Sequence, residues 1–151
     1  MGLRRRSREK TLQILYSMEF VTDPIAREAI ESYYEFFNLP SKNFDEEIEK
    51  EERNFIDYLL GEVTGNIQRV EELIEQAAIN WRMNRIALIE RNILRMSVAE
   101  LIDEGNGVPF KATINEAIDI AKKFGSKESS SFVNGIINKV ADIIDIKSKK
   151  L

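Results

Sequence analysis

An all-α fold is predicted by three observations on this 151-residue chain. Apolar residues recur at intervals of three and four through nearly every segment, only three prolines and seven glycines interrupt them, and neither an internal repeat nor a low-complexity linker divides the sequence. At this length a single domain buries roughly 68–70% of its unfolded surface, enough for a core that needs no staple.

The first helix runs from the arginines near the N-terminus to Phe20, with Leu12, Leu15 and Tyr16 on its apolar arc. Extended backwards at about 100° per residue, that arc would carry Arg4, Arg5 and Arg8, which a core would reject. The first turns are therefore expected to overhang the packed body, frayed or laid on an anionic partner. Asp23 and Pro24 suit the cap and first residue of a second helix, with Ile25, Ala29, Tyr33 and Phe36 along one face and a stop before Pro40.

An acidic run, Asp45 to Arg53, leads into a third helix with Phe55, Ile56, Leu59, Leu60 and Val63 inward. A solvated helix start, favoured by the helix dipole, accounts for those acids. Gly61 and Gly65 weaken the end of that helix, and a fourth, opening at Asn66 with Ile67, Val70, Leu73, Ile74, Ala77 and Ala78 on one side, is expected to pair tightly with it. The linker 80–84 leads to a fifth helix from Arg85 to Glu104, apolar over so much of its circumference that it should lie centrally. Glu90 and Ser97 fall between its two apolar arcs.

Gly105, Asn106, Gly107 and Pro109 form a loop, and Thr113 with Glu116 reads as a capping box opening a sixth helix that closes at Gly125. The last helix begins within 126–131 and divides into an apolar side, Phe132, Val133, Ile136, Ile137, Val140, Ile143 and Ile144, and a polar one. Gly135 sits inside it at a cost of about 1 kcal/mol relative to alanine. Either another backbone or a partner approaches closely there, or helices merely crowd.

Composition narrows the function. With no histidine and no cysteine, the usual general base, the thiolate nucleophile and the commonest zinc ligands are all missing. No glycine-rich phosphate loop with its lysine occurs, and the plentiful carboxylates read as surface charge. The expectation is a protein that is not an enzyme, binds no metal and needs no cofactor. No apolar run is long enough for a membrane span and no secretory signal is evident, so a soluble cytoplasmic protein is expected.

Net charge is −4, but unevenly distributed: residues 1–10 carry five cations against one anion, and 45–53 carry six anions against two cations. The RRRSRE cluster suits phosphate, since arginine is a permanently charged planar fork that also stacks on bases. A basic terminus that binds nothing in particular is the alternative. Tyr16 would offer a stacking surface beside the arm, or else a core contact.

Three stretches together resemble one family. RRRSREKTLQILYSMEF, NRIALIERNILRMSVAEL and VPFKATINEAIDIAKKFGSKESSSFVNGIINKVA are similar, in that order, to the opening, the central helix and the C-terminal signature of the NusB antitermination factors. The resemblance implies about seven helices in two small packed bundles, a single domain over 1–151 with a basic arm at 1–10, an N-terminal subdomain over about 11–80 and a C-terminal one over about 81–151. It also implies a non-enzymatic role, binding boxA RNA of rRNA leader transcripts together with NusE, a small-ribosomal-subunit protein, so that RNA polymerase ignores termination signals. By position, Arg4, Arg5, Arg6, Arg8, Gln13 and Tyr16 match RNA-binding residues, and Glu90, Glu128 and Phe132 match residues facing NusE. No contact carries over to Trp81, Arg82 or Met83. A homodimer is known among relatives and is neither required nor excluded by the residues. The competing class is a helical protein–protein adaptor that does not touch RNA.

Overall fold

The computed structural model describes residues 2–19 and 46–144. Within them lie six α-helices and one 3-10 turn, and no strand: α1 (Leu3–Met18), α2 (Glu46–Gly65), α3 (Ile67–Ala77), the turn Met83–Arg85, α4 (Leu88–Ile102), α5 (Phe110–Phe124) and α6 (Lys127–Ile143). The proposed helix after Pro24 lies outside the described residues. None of the described helices is long and apolar enough to cross a membrane.

Helix α4 is central, as its two apolar arcs predict. Ile93, Leu94, Met96, Val98, Ala99 and Leu101 are all buried, and α4 packs on each of the other five helices. Around it α1 packs on α2, and α5 packs on α6. The expected tight pairing of α2 with α3 is not found: they make few mutual contacts, α2 packing on α1 and α4, and α3 on α6 and α4. The chain changes course at Asn66, whose backbone leaves helical geometry (φ −122°, ψ 21°), so each helix finds its own apolar partner.

Local signals placed most ends well. Gly125 caps α5, and Ser126 starts α6 by accepting the Ser129 N–H at 3.1 Å. Thr113 and Glu116 do not form a capping box. The helix starts earlier, at Phe110 after Pro109, which leaves Thr113 buried in the first turn and Glu116 free for a distant partner. Gly135 is not crowded by the described residues, since a Cβ built there would meet none of them within 4 Å.

Candidate functional site

The predicted overhang of the basic segment is overturned. Helix α1 begins at Leu3, and Ser7, Arg8, Thr11, Leu12, Ile14 and Leu15 are all buried, so the apolar arc continues into the arginines. The core accepts Arg8 because α4 supplies a counter-charge. Arg8 Nε donates to Glu100 Oε2 at 2.9 Å and its Nη2 to Oε1 at 2.8 Å, with the two side chains only 5% and 1% exposed. A bidentate fork of this kind satisfies both carboxylate oxygens, the condition under which a buried pair is tolerated.

The other cations are also met from within the chain. Arg5 forks onto Glu116 of α5, with Nη2 to Oε1 at 2.9 Å, and reaches Asp119 Oδ2 at 2.9 Å. The Glu116 hydrogen bonds hold the Arg5 guanidinium even more firmly protonated than usual, against the opposing pull of burial. Arg6 and Lys10 share Glu52 of α2, Arg6 at 3.7 Å, while Glu9 of α1 receives Lys123 of α5 at 2.5 Å. The acidic run thus includes a buried member, Glu52, that neutralises the basic helix, and a purely solvated start does not describe it.

Arg4 stands apart. It is exposed, and its guanidinium lies 5.2 Å from the centroid of the Phe55 ring, which Arg8 approaches to 5.3 Å. Beside it a surface pocket of about 510 Å³ is lined by Gly2, Arg4, Arg5 and Arg8 and by the loop residues Gly107, Val108 and Pro109. Gly107 adopts φ +76°, a left-handed turn that brings this loop against α1. Asn106 secures it by donating to the Glu100 carbonyl at 3.0 Å and to the Tyr58 hydroxyl at 3.3 Å, while Tyr58 donates to Asp103 at 2.7 Å. Burial and the bond to Asp103 keep the Tyr58 phenol protonated well above its ordinary range.

Gln13 and Tyr16 are exposed, about 13.5 and 18 Å further along the α1 axis than Arg4 at 1.5 Å per residue. The C-terminal end of α1 is tied to the start of α4 by a second cluster. Glu19 receives Arg91 Nε and Nη2 at 2.9 Å each, Arg95 Nη1 at 2.5 Å and Asn92 at 3.2 Å. Burial opposes ionisation of Glu19, but the hydrogen bonds from Arg91 and Arg95 outweigh it and hold the carboxyl below its usual range.

Of the residues expected from the resemblance to face NusE, Glu90 is half-buried in the first turn of α4, Glu128 is exposed in the first turn of α6, and Phe132 is half-buried one turn later. Both carboxylates sit where a helix dipole favours negative charge. The geometry therefore brings Arg4, Arg5 and Arg8 together at one pocket and Glu128 and Phe132 together on one helix face. Sequence reading missed Glu100, Glu116, Asp119 and Glu52. For Glu100 a signal existed, a carboxylate placed among Met96, Val98 and Leu101 that has to find a cation.

Comparison with known proteins gives a concordant picture. The NusB family model matches residues 5–142. A transcription antitermination protein NusB from Myxococcus xanthus is 38% identical over 141 residues, covering 93% of this chain and 96% of that one. Among solved structures, T. maritima NusB superposes with a TM-score of 0.74 at 29% identity over 92% of this chain and 90% of that one. A crystal structure of the antitermination factors NusB and NusE in complex with dsRNA has a TM-score of 0.77 over 95% and 98% of the chains, and at 22% identity it speaks to the fold.

Proposed function

The chain belongs to the NusB family, and on that footing we propose that it is a cytoplasmic, non-enzymatic transcription antitermination factor that binds boxA RNA of rRNA leader transcripts together with NusE, as part of the assembly that makes RNA polymerase resistant to termination. The observation that carries the reading is the family match over residues 5–142, which takes in the arginine-rich helix from Arg5 onward and the C-terminal signature.

The residues divide the work by their exposure. Arg4, with the half-buried Arg5 and Arg6, reaches RNA phosphates, and Arg8 forms the floor of the pocket and holds α1 against α4. Phosphate contacts supply affinity independent of sequence, while Gln13 and Tyr16 offer a hydrogen-bonding and a stacking group for unpaired bases. Glu90, Glu128 and Phe132 face NusE. The same geometry favours one rival, since Arg5, Arg6 and Arg8 already have carboxylate partners: a protein adaptor for which RNA is dispensable.

Fluorescence anisotropy of labelled boxA RNA, with and without NusE, separates the two. Tightening of RNA by NusE, lost in Arg4→Ala combined with Arg6→Ala, is expected. Equal RNA affinity for wild type and that variant would remove the arm from the interface, and NusE binding with no RNA binding by the pair would establish the adaptor.

A further inference from the structure

While α1 has its cations largely matched by carboxylates, the segment between α3 and α4 shows the opposite balance. Trp81 is 49% exposed and Ile79 is 74% exposed, and both Arg82 and Arg85 point to solvent. Neither Arg82 nor Arg85 meets a carboxylate among the described residues. Trp81 is not part of the buried core and leaves half its surface open beside an exposed isoleucine and two guanidinia that have no carboxylate partner among the described residues, and it is the combination of a stacking surface with cations that holds single-stranded nucleic acid.

The segment is built to hold that display in place. Met83 and Ile86 are buried and act as inward plugs, while Trp81 N–H is fixed to the Ala78 carbonyl at 2.8 Å. Glu75 is engaged in accepting the Met83 N–H at 3.0 Å, and the Arg85 N–H closes the turn on the Arg82 carbonyl at 2.8 Å. Arg91 in the first part of α4, held by Glu19 at the end of α1, donates Nη1 to the Met83 and Ile86 carbonyls at 3.4 Å each and so braces the turn from behind. A ligand therefore meets side chains on an ordered backbone, which lowers the entropic cost of binding.

We propose that Trp81, Arg82 and Arg85 form a second contact for single-stranded RNA, separate from the arginine pocket, in which a base stacks on the indole and the guanidinia meet flanking phosphates. The proposal rests on the RNA-binding reading above and extends it to a longer ligand. The Arg8–Glu100 pair puts the pocket at the far end of α4 from this segment, and Glu100 to Leu88 spans about 18 Å at 1.5 Å per residue. At about 3.4 Å per nucleotide, on the order of five stacked nucleotides are needed to bridge that distance. An RNA short enough to fill only the pocket cannot reach Trp81.

Trp81 is the only tryptophan in the chain, so its emission reports on this segment alone. The experiment uses the full chain with two labelled RNAs, a minimal boxA oligonucleotide and the same sequence extended at both ends by about ten uridines, a length within the usual site sizes of single-strand binders. Anisotropy measures binding while Trp81 emission and its accessibility to acrylamide are followed. The extended RNA should bind more tightly, quench Trp81 and shield it; the minimal RNA should bind without doing so. Arg82→Ala with Arg85→Ala should reduce the salt slope for the extended RNA by about 1.4, from about 0.7 per phosphate contact, and leave the minimal RNA unchanged. Trp81→Ala should weaken only the extended RNA, on the order of 10-fold, and Trp81→Phe should restore most of it.

Binding of the extended RNA with Trp81 emission unaltered overturns this second contact and leaves the boxA reading standing. Quenching by NusE without RNA assigns the surface to a protein and overturns it as well. If neither RNA binds, with or without NusE, both this inference and the reading beneath it fall.

Discussion

Replacing Arg8 by methionine should destabilise the fold far more than loss of a surface charge would. The two Arg8 hydrogen bonds to Glu100, at 2.9 and 2.8 Å, join side chains that are 5% and 1% exposed, so solvent screens neither. Removing one member strands the other, which costs about 3–5 kcal/mol, a large share of the roughly 5–15 kcal/mol that keeps a domain folded. For a chain of this size each kcal/mol moves the melting temperature by about 2–4 °C, so a fall of about 6–20 °C is expected. The assay is urea unfolding with calorimetry on wild type, Arg8→Met, and Arg8→Met combined with Glu100→Leu. The double variant should recover most of the loss, because it removes both buried charges and fills the space with apolar groups. A single variant that loses under about 1 kcal/mol would place the pair among screened surface bridges, and a double variant no more stable than the single would refute the stranded-charge argument.

Other outcomes follow from the same geometry. Glu19, whose carboxyl is held below its usual range, contributes stability present above the unfolded value of 4.5 and lost as pH falls through the lower folded value. Glu19→Gln should therefore lower the urea midpoint at neutral pH and narrow its gap from wild type in acid; a gap independent of pH would count against the assignment. Gly135→Ala should raise stability by up to about 1 kcal/mol, as a Cβ there meets nothing within 4 Å among the described residues, and a fall in melting temperature would refute this. Gly107→Ala should lower it, because φ is +76° at that turn. For the minimal boxA RNA, log K against log salt should have a slope near −2, from about 0.7 for each of Arg4, Arg5 and Arg6; a slope near −3 would mean that Arg8 leaves Glu100 to meet phosphate.

The pattern of successes and misses in the sequence reading has a physical cause. Helix identity, the central position of α4, the cap at Gly125 and the start of the last helix within 126–131 depend on residues within one or two turns of each other, and these were legible. The expected pairing of α2 with α3 assumed that sequence neighbours are packing neighbours, whereas apolar burial on α4 decided their partners. Thr113 and Glu116 have the spacing of a capping box, but Pro109 starts the helix earlier and Arg5 captures Glu116.

By itself, then, the sequence determined an all-helical chain, its helix faces and the family it belongs to, because each of these is written in local periodicity or in residue order. Only the tertiary structure decided what the arginines of α1 do. Arg8 and Glu100 are separated by 92 residues, and Arg5 and Glu116 by 111, and no local rule joins positions so far apart. A buried arginine is improbable until its carboxylate is in place, since the cost of desolvating the charge is offset only by a partner that the fold delivers.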